Sequence, residues 1–250
     1  MEILMGLSKH PQGVGVTGLA REVGLSKATI YRLLNTLVTR GFVERVPGTE
    51  FYRLGLTMFD LGMAVRNRMD LVREAGPILK EVVERTRETV HLGILDNGEV
   101  VYVDKLEGPG AIQMLSRIGR RVPVHCTAMG KVLAADLPAV ELERVISLRG
   151  LKACTENTIT DLELLKAHLR EVARQGFAVD RVEHEYGVQC VAAPIRDFTG
   201  RVIGAFSISG SILTITEERL VEIIPFLKEA GAKISRRMGY RERSGAGRVG

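Results

Sequence analysis

The chain has no tryptophan, and aromatic residues make up 5% of its 250 positions, so its core has to be built from aliphatic side chains. Three cysteines, Cys126, Cys154 and Cys190, are an odd number and too few for a disulfide framework, which points to reduced thiols and a cytoplasmic address. No apolar run reaches the ~18 residues needed to cross a bilayer, and the start, Met1 to Gly6, lacks the basic and long apolar regions of a signal peptide. No membrane partner is expected. Also missing are an internal repeat, a Gly-rich phosphate loop, a nucleophile-elbow sequence and a Gly/Ser-rich linker. These absences argue against a nucleotide-driven or hydrolytic enzyme and for stiff coupling between domains.

What is present is the balance of a globular protein, 45% hydrophobic and 26% charged, in a length that suits two domains or one large one. The net charge of +5 is uneven. Residues 1–73 carry 10 Lys/Arg against 6 Asp/Glu, residues 74–235 carry 20 against 23, and the stretch from Arg236 onward carries 5 against 1. A polyanion would meet the two ends first.

The first segment reads as three short helices and a hairpin. Apolar residues at 1, 4, 5 and 7 predict a helix to Lys9. A second spans Thr17 to Val23 with Thr17 as its N-cap, Gly24 makes the turn, and Ser26 caps a third that runs to Thr39. Gly41 stops it, and residues 42–45 and 51–54 form strands around Pro47-Gly48. Val23, Leu25, Ile30 and Leu33 fall at spacings that fill the small core between the second and third helices. With Ile30, Leu33, Leu34 and Leu37 turned inward, Lys27, Ala28, Tyr31, Arg32 and Asn35 are left on the outer arc, able to enter a major groove. Thr17, Ser26 and Thr29, with Arg45 and Arg53 of the hairpin, suit phosphates. A helical hairpin with a merely solvated face is the plainer alternative, and the hairpin that follows weighs against it.

Helices over 56–68 and 70–87, the second with Pro77 in its early turns, lead to a region of alternating strands and helices. Strands at 90–95 and 100–105 flank Asp96-Asn97-Gly98, a hairpin signal. Helices are predicted at 127–135, 139–147, 161–175 and 216–237, and strands at 177–182, 189–195 and 202–209. Residues 241–250 are rich in Gly, Arg and Ser.

These residues support a resemblance. The run Gly24-Leu25-Ser26-Lys27-Ala28-Thr29-Ile30-Tyr31-Arg32-Leu33-Leu34, with Arg40-Gly41-Phe42-Val43 and Tyr52-Arg53-Leu54-Gly55, resembles the IclR family of bacterial regulators. Three further stretches, 122–131, 155–160 and 187–195, agree with it. The resemblance implies an α+β protein: a winged helix-turn-helix domain (1–55), connecting helices (56–87), a GAF-like effector domain with a mostly antiparallel sheet (88–238) and a disordered tail (239–250). It also implies a homodimer or homotetramer that pairs mainly through the DNA-binding half, double-stranded DNA as partner, and a small organic acid as effector. Two features depart from the family pattern. The chain begins inside what is normally the first helix, and an expected acidic pair after Asp180 is Val182-Glu183.

Residue chemistry suggests where the acid would sit. Thr127 caps a helix whose first amides, those of Ala128, Met129 and Gly130, would face a carboxylate. Asp180, Cys190, Ser207 and Ser209 lie on predicted strands, with Ser207 and Ser209 on one face, and the family's pocket is lined at these positions. Each could instead be a plain cap, core or solvated residue; their convergence favours a site.

The expected function is therefore a DNA-binding repressor whose operator affinity is controlled by a small organic acid, with no metal, cofactor or catalytic residue. The alternative is a metal- or thiol-responsive DNA-binding sensor using Cys126 and Cys190. For metal, His125, Cys126, His184, Glu185 and Cys190 match no standard ligand spacing. For catalysis, Ser207, His184 and Asp180 could be drawn as a triad without any supporting motif.

Overall fold

The computed structural model describes residues 1–67, 70–109 and 116–241. The chain divides into two compact units, Met1–Met69 and Asp70–Gly250.

In the first unit, α1 (Glu2–Ser8), α2 (Val16–Val23) and α3 (Lys27–Thr39) precede β2 (Val43–Arg45), β3 (Phe51–Leu54) and α4 (Leu56–Asn67). A two-residue strand, β1 (Val14–Gly15), adds to the hairpin to give the antiparallel order β1-β3-β2. Nothing in a two-residue strand has enough periodicity to be read from sequence. Ile3, Leu7, Leu19, Ala20, Ile30, Leu34, Val43 and Tyr52 are buried together. A side chain at Gly6 would come within 2.7 Å of Leu19, so glycine there lets α1 lie close against α2. Gly24 ends α2 in the left-handed conformation (φ 75°), which glycine adopts without steric cost.

Two sequence expectations are corrected here. Thr17 does not cap α2: the N-cap is Gly15, and Thr17 is exposed inside the first turn. Leu25 and Leu33 do not fill the core, being 41% and 38% exposed. Ile30 and Leu34 are the buried residues of α3, and Leu33, about 100° from Leu34 and about 60° from Ile30 around the helix, is turned aside.

The second unit is built on one six-stranded sheet, antiparallel throughout, in the order β6-β5-β4-β9-β8-β7. The strands are β4 (Thr89–Asp96), β5 (Glu99–Leu106), β6 (Arg121–Pro123), β7 (Ala178–Arg181), β8 (Val188–Arg196) and β9 (Val202–Ser211). Asn97 and Gly98, both at positive φ (49° and 77°), make the tight β4–β5 turn. α5 (Asp70–Thr86) and α9 (Glu217–Arg237) pack on one another, α5 also against β4 and β5 and α9 against β8. α6 (Ala128–Ala134) and α8 (Leu162–Gln175) pack together, with α6 against the sheet, and α7 (Ala139–Arg149) adds Leu142, Val145 and Ile146 to the same core.

Strand alternation sorts side chains between the two helical layers. On β9, Phe206 faces α9, where it lies 3.5 Å from the position a Gly231 side chain would take. Its neighbours Ser207 and Ser209 therefore face the other way, and Ala205 on that same side joins the α6 core. We expect Phe206→Ala to cost about 3–5 kcal/mol, and Ser207→Ala about 1 kcal/mol or less, in urea unfolding of the whole protein. Equal costs at these adjacent positions would contradict the assignment of faces.

Candidate functional site

The DNA-facing candidates gather on α3 and the hairpin. Ser26 caps α3, its hydroxyl accepting from the Thr29 amide at 3.2 Å. This leaves Lys27, Ala28, Tyr31 and Arg32 exposed on the helix, with Thr29 and Asn35 half-buried. Arg45 reaches from β2 to donate to Asn35 Oδ1 at 3.3 Å, and its guanidinium stands 5.4 Å from the Tyr52 ring centroid. Hydrogen bonding with Asn35 and Arg45 holds the Tyr31 phenol below its ordinary range. Arg53 donates to Glu44 Oε1 at 2.6 Å, so its charge is already matched across the hairpin. Among the described residues, Lys27 and Arg32 have no ion-pair partner and present free cations beside the Ser26 cap. Thr17 is exposed on α2.

The effector candidates meet on the α6 face of the sheet. Strand register sets Asp180 beside Cys190 and Cys190 beside Ser209, a single row across β7, β8 and β9. In the adjoining row Ser207 is paired with His91 of β4. The Ser207 and Ser209 hydroxyls are 3.3 Å apart, Ser209 Oγ is 3.4 Å from His91 Nδ1, and His91 Nε2 is 2.8 Å from Ser116 Oγ. His91 also stacks on Tyr102 at 4.8 Å between ring centroids. Burial pushes the Asp180 carboxyl up to about 7, although the Glu183 amide donated to it opposes the shift. Burial likewise drives His91 down to about 3 and raises the Cys190 thiol. At neutral pH this surface holds a neutral imidazole, a neutral thiol, hydroxyls and a carboxyl near its midpoint.

Thr127 caps α6 as expected, donating to Pro123 O at 2.7 Å and accepting from the Gly130 amide at 3.1 Å. That second bond is a correction: the Gly130 amide serves the cap and is not free for a carboxylate, whereas among the described residues no such bond engages the amides of Ala128 or Met129. A side chain at Gly130 would lie 2.5 Å from Val124 and Thr127 atoms, so the Thr127-Ala128-Met129-Gly130 sequence requires glycine for packing. The drawn triad is not assembled: among the described residues Ser207 bonds Ser209, Asp180 accepts from the Glu183 amide, and His184 lies against Cys126. Of the metal candidates, His125 Nε2 is 3.0 Å from the Lys152 carbonyl, and the sulfur that meets Cys126 belongs to Cys154, not Cys190.

Residues 1–47 match the IclR helix-turn-helix domain, and residues 63–236 match the C-terminal domain of the bacterial transcriptional regulator IclR. The chain belongs to the IclR family of transcription regulators. It is 40% identical over 240 residues to the HTH-type transcriptional regulator KdgR of Escherichia coli, covering 96% of this chain and 91% of that one. To the HTH-type transcriptional repressor AllR of Klebsiella pneumoniae it is 31% identical, covering 96% and 88%. The crystal structure of Thermotoga maritima IclR matches with a TM-score of 0.79 at 38% identity over 96% of each chain. An IclR homolog from Microbacterium hydrocarbonoxydans complexed with 4-hydroxybenzoate matches with 0.84 at 27% identity, covering 95% and 96%. The protein is a DNA-binding transcription regulator with a C-terminal effector domain.

In this IclR-family chain the part that sequence reading missed is what fixes α6 in place. Lys131, on α6, is completely buried and donates to Val179 O at 2.6 Å and to Glu183 Oε1. A lysine four residues past the Thr127 cap reads as a surface residue, and nothing in its neighbours signals otherwise. Lys131→Met would strand the Glu183 charge and should cost about 3–5 kcal/mol. Adding Glu183→Leu should recover most of that in the same denaturant titration. A single variant as stable as the parent would show that the pair is not needed.

Proposed function

We propose that this regulator is a cytoplasmic repressor without catalytic activity, and that a small organic acid bound on the α6 face of the sheet controls its hold on an operator. The observation that carries the proposal is the polar row of buried Asp180 and Ser209 with half-buried Cys190 between them, and buried Ser207 and His91 beside it. Buried polar groups on a sheet face otherwise given to aliphatic packing cost stability unless they are partnered; these are bonded mainly to one another and to the Glu183 amide, and a bound acid exchanges into those bonds. Thr127, with the amides of Ala128 and Met129, closes the site from the α6 side. The 4-hydroxybenzoate carried by the Microbacterium homolog supports a carboxylic acid as the effector class, and the repressor description of AllR supports the sense of regulation.

On the DNA side, Lys27, Tyr31, Arg32 and Asn35 read the groove in this proposal, while Ser26, Thr29, Arg45 and Thr17 hold phosphates. Arg53 reaches a phosphate by giving up Glu44. The acid acts through its differential affinity for two arrangements of a dimer or tetramer. α5, which packs directly on β4 and β5, is the element through which occupancy of the sheet would be felt.

Two experiments test the proposal. Arg32→Ala should weaken operator binding by more than about tenfold in a gel-shift titration, since a good base contact is worth about 1–3 kcal/mol, with the melting curve unchanged. Undiminished affinity would remove α3 as the reading helix. For the effector, a thermal-shift screen with 4-hydroxybenzoate, pyruvate and gluconate should give stabilisation by at least one acid, lost in Ser207→Ala and in Cys190→Ala. Below pH of about 7 Asp180 is protonated and donates to a carboxylate, and above it the two anions repel. Acid affinity should therefore rise as pH falls from 8 to 6, and flatten in Asp180→Asn. Equal acid binding in the parent and both alanine variants would move the site elsewhere.

A further inference from the structure

Cys126, Cys154 and His184 form a cluster that neither the reading helix nor the acid-binding row uses. Cys126 Sγ lies 3.8 Å from Cys154 Sγ and 3.7 Å from His184 Nδ1, and the three possible ligand atoms are all within 4.8 Å of one another. A tetrahedral zinc ion, with bonds of about 2.3 Å to sulfur and about 2.0 Å to nitrogen, sets two thiolates about 3.8 Å apart and a thiolate and an imidazole nitrogen about 3.5 Å apart. A disulfide would need its sulfurs at about 2.05 Å. The two spacings from Cys126 are those of ligands around an ion, and the third pair, Cys154 and His184, lies within 4.8 Å.

We propose that Cys126, Cys154 and His184 bind a zinc ion in tetrahedral coordination, its fourth position taken by water or a small anion. The ligands come from three segments that carry no regular secondary structure, yet side-chain bonds fasten these segments together, His125 Nε2 beside Cys126 lying 3.0 Å from Lys152 O. Thr155 Oγ1 donates to Val182 O at 2.6 Å, and Thr158 Oγ1 donates to Glu183 O at 2.6 Å. Thr158 Oγ1 also accepts from the Cys154 and Thr155 amides at 3.0 Å each. The turn that presents His184 is itself unusual, because Val182 takes φ 59°, a region β-branched residues avoid. The contacts to Thr155 and the bond from the Glu183 amide to Asp180 hold it there. Preorganised outer contacts of this kind orient the first ligands of metal sites. Cys190 stands outside the cluster, in register with Asp180 and Ser209. The metal chemistry thus rests on Cys154 in place of Cys190, and it is separate from the acid-binding row.

The test uses the full-length protein, reduced, stripped with a chelator and titrated with cobalt(II). One equivalent should bind with the intense visible absorption of tetrahedral cobalt and a sulfur-to-cobalt charge-transfer band, and zinc should displace it. Competition against a chromophoric chelator should show zinc affinity lower by more than about tenfold in Cys154→Ser and in His184→Gln, and unchanged in Cys190→Ser. Cys126 is fully buried, so if Cys126→Ser does not fold, the parent titration and the half-buried Cys154 still decide the matter. A weak octahedral cobalt spectrum, binding below one equivalent, or equal zinc affinity in parent and Cys154→Ser would overturn the proposal. The readout involves no DNA and no organic acid, so its result is independent of the regulatory reading.

Discussion

The effector domain depends on one buried charge. Lys131 sits in the middle of α6 with no exposed surface, and an ammonium in that position is tolerable only if its partners are fixed in place. They are the Val179 carbonyl on β7 and the Glu183 carboxylate just beyond it. The same carboxylate accepts from the Arg181 amide at 3.2 Å, and the Glu183 amide donates to Asp180 at 2.7 Å. Charge pairing therefore determines where β7 ends, how the turn through Val182 is shaped and where Asp180 stands. Thr155 and Thr158 then tie the 152–158 segment to that turn. The polar row that starts at Asp180 and the Cys126–Cys154–His184 cluster are neighbours because both are anchored to the turn this ion pair holds.

The DNA-binding unit uses polar contacts differently. Its fold rests on a small aliphatic core around Leu19, Ile30 and Leu34, and its exposed polar groups are linked across elements without being buried. Arg45 joins the hairpin to α3 through Asn35 and lies over Tyr52. Such exposed contacts contribute little stability. Their effect is positional: they fix the hairpin against α3, while Lys27 and Arg32 stay exposed with no ion-pair partner among the described residues. In the effector domain the opposite holds, with desolvated groups whose charge states are changed by burial.

Legibility followed the physical origin of each feature. The helix-turn-helix could be read because Gly24, Ser26, Ile30 and Leu34 each meet a local requirement: a left-handed turn, a cap, and core positions four residues apart. Asn97-Gly98 marked its hairpin for the same reason. Leu25 and Leu33 misled because hydrophobicity at a plausible spacing does not reveal that the core is already full. Thr17 misled because a good capping residue stood two positions past the actual cap, which Gly15 fills by backbone conformation alone. On the strands, the two-residue period placed Ser207 and Ser209 on one face, but the cross-strand row they join with Cys190 and Asp180 depends on register between segments up to 30 residues apart. His91, more than 100 residues from Ser209, lay beyond any local pattern.

What the sequence by itself determined is the order of elements, the winged helix with its exposed basic arc and the family to which the chain belongs, because these depend on residues close together in the chain. What only the tertiary structure decided is which distant side chains share a desolvated space: Lys131 with Glu183, His91 with Ser209, Cys126 with Cys154 and His184. Burial lowers the His91 and His184 imidazoles and raises the Cys126 thiol, which their neighbours in sequence do not do. Burial belongs to the packed molecule, so the chemistry of the second domain became visible only there.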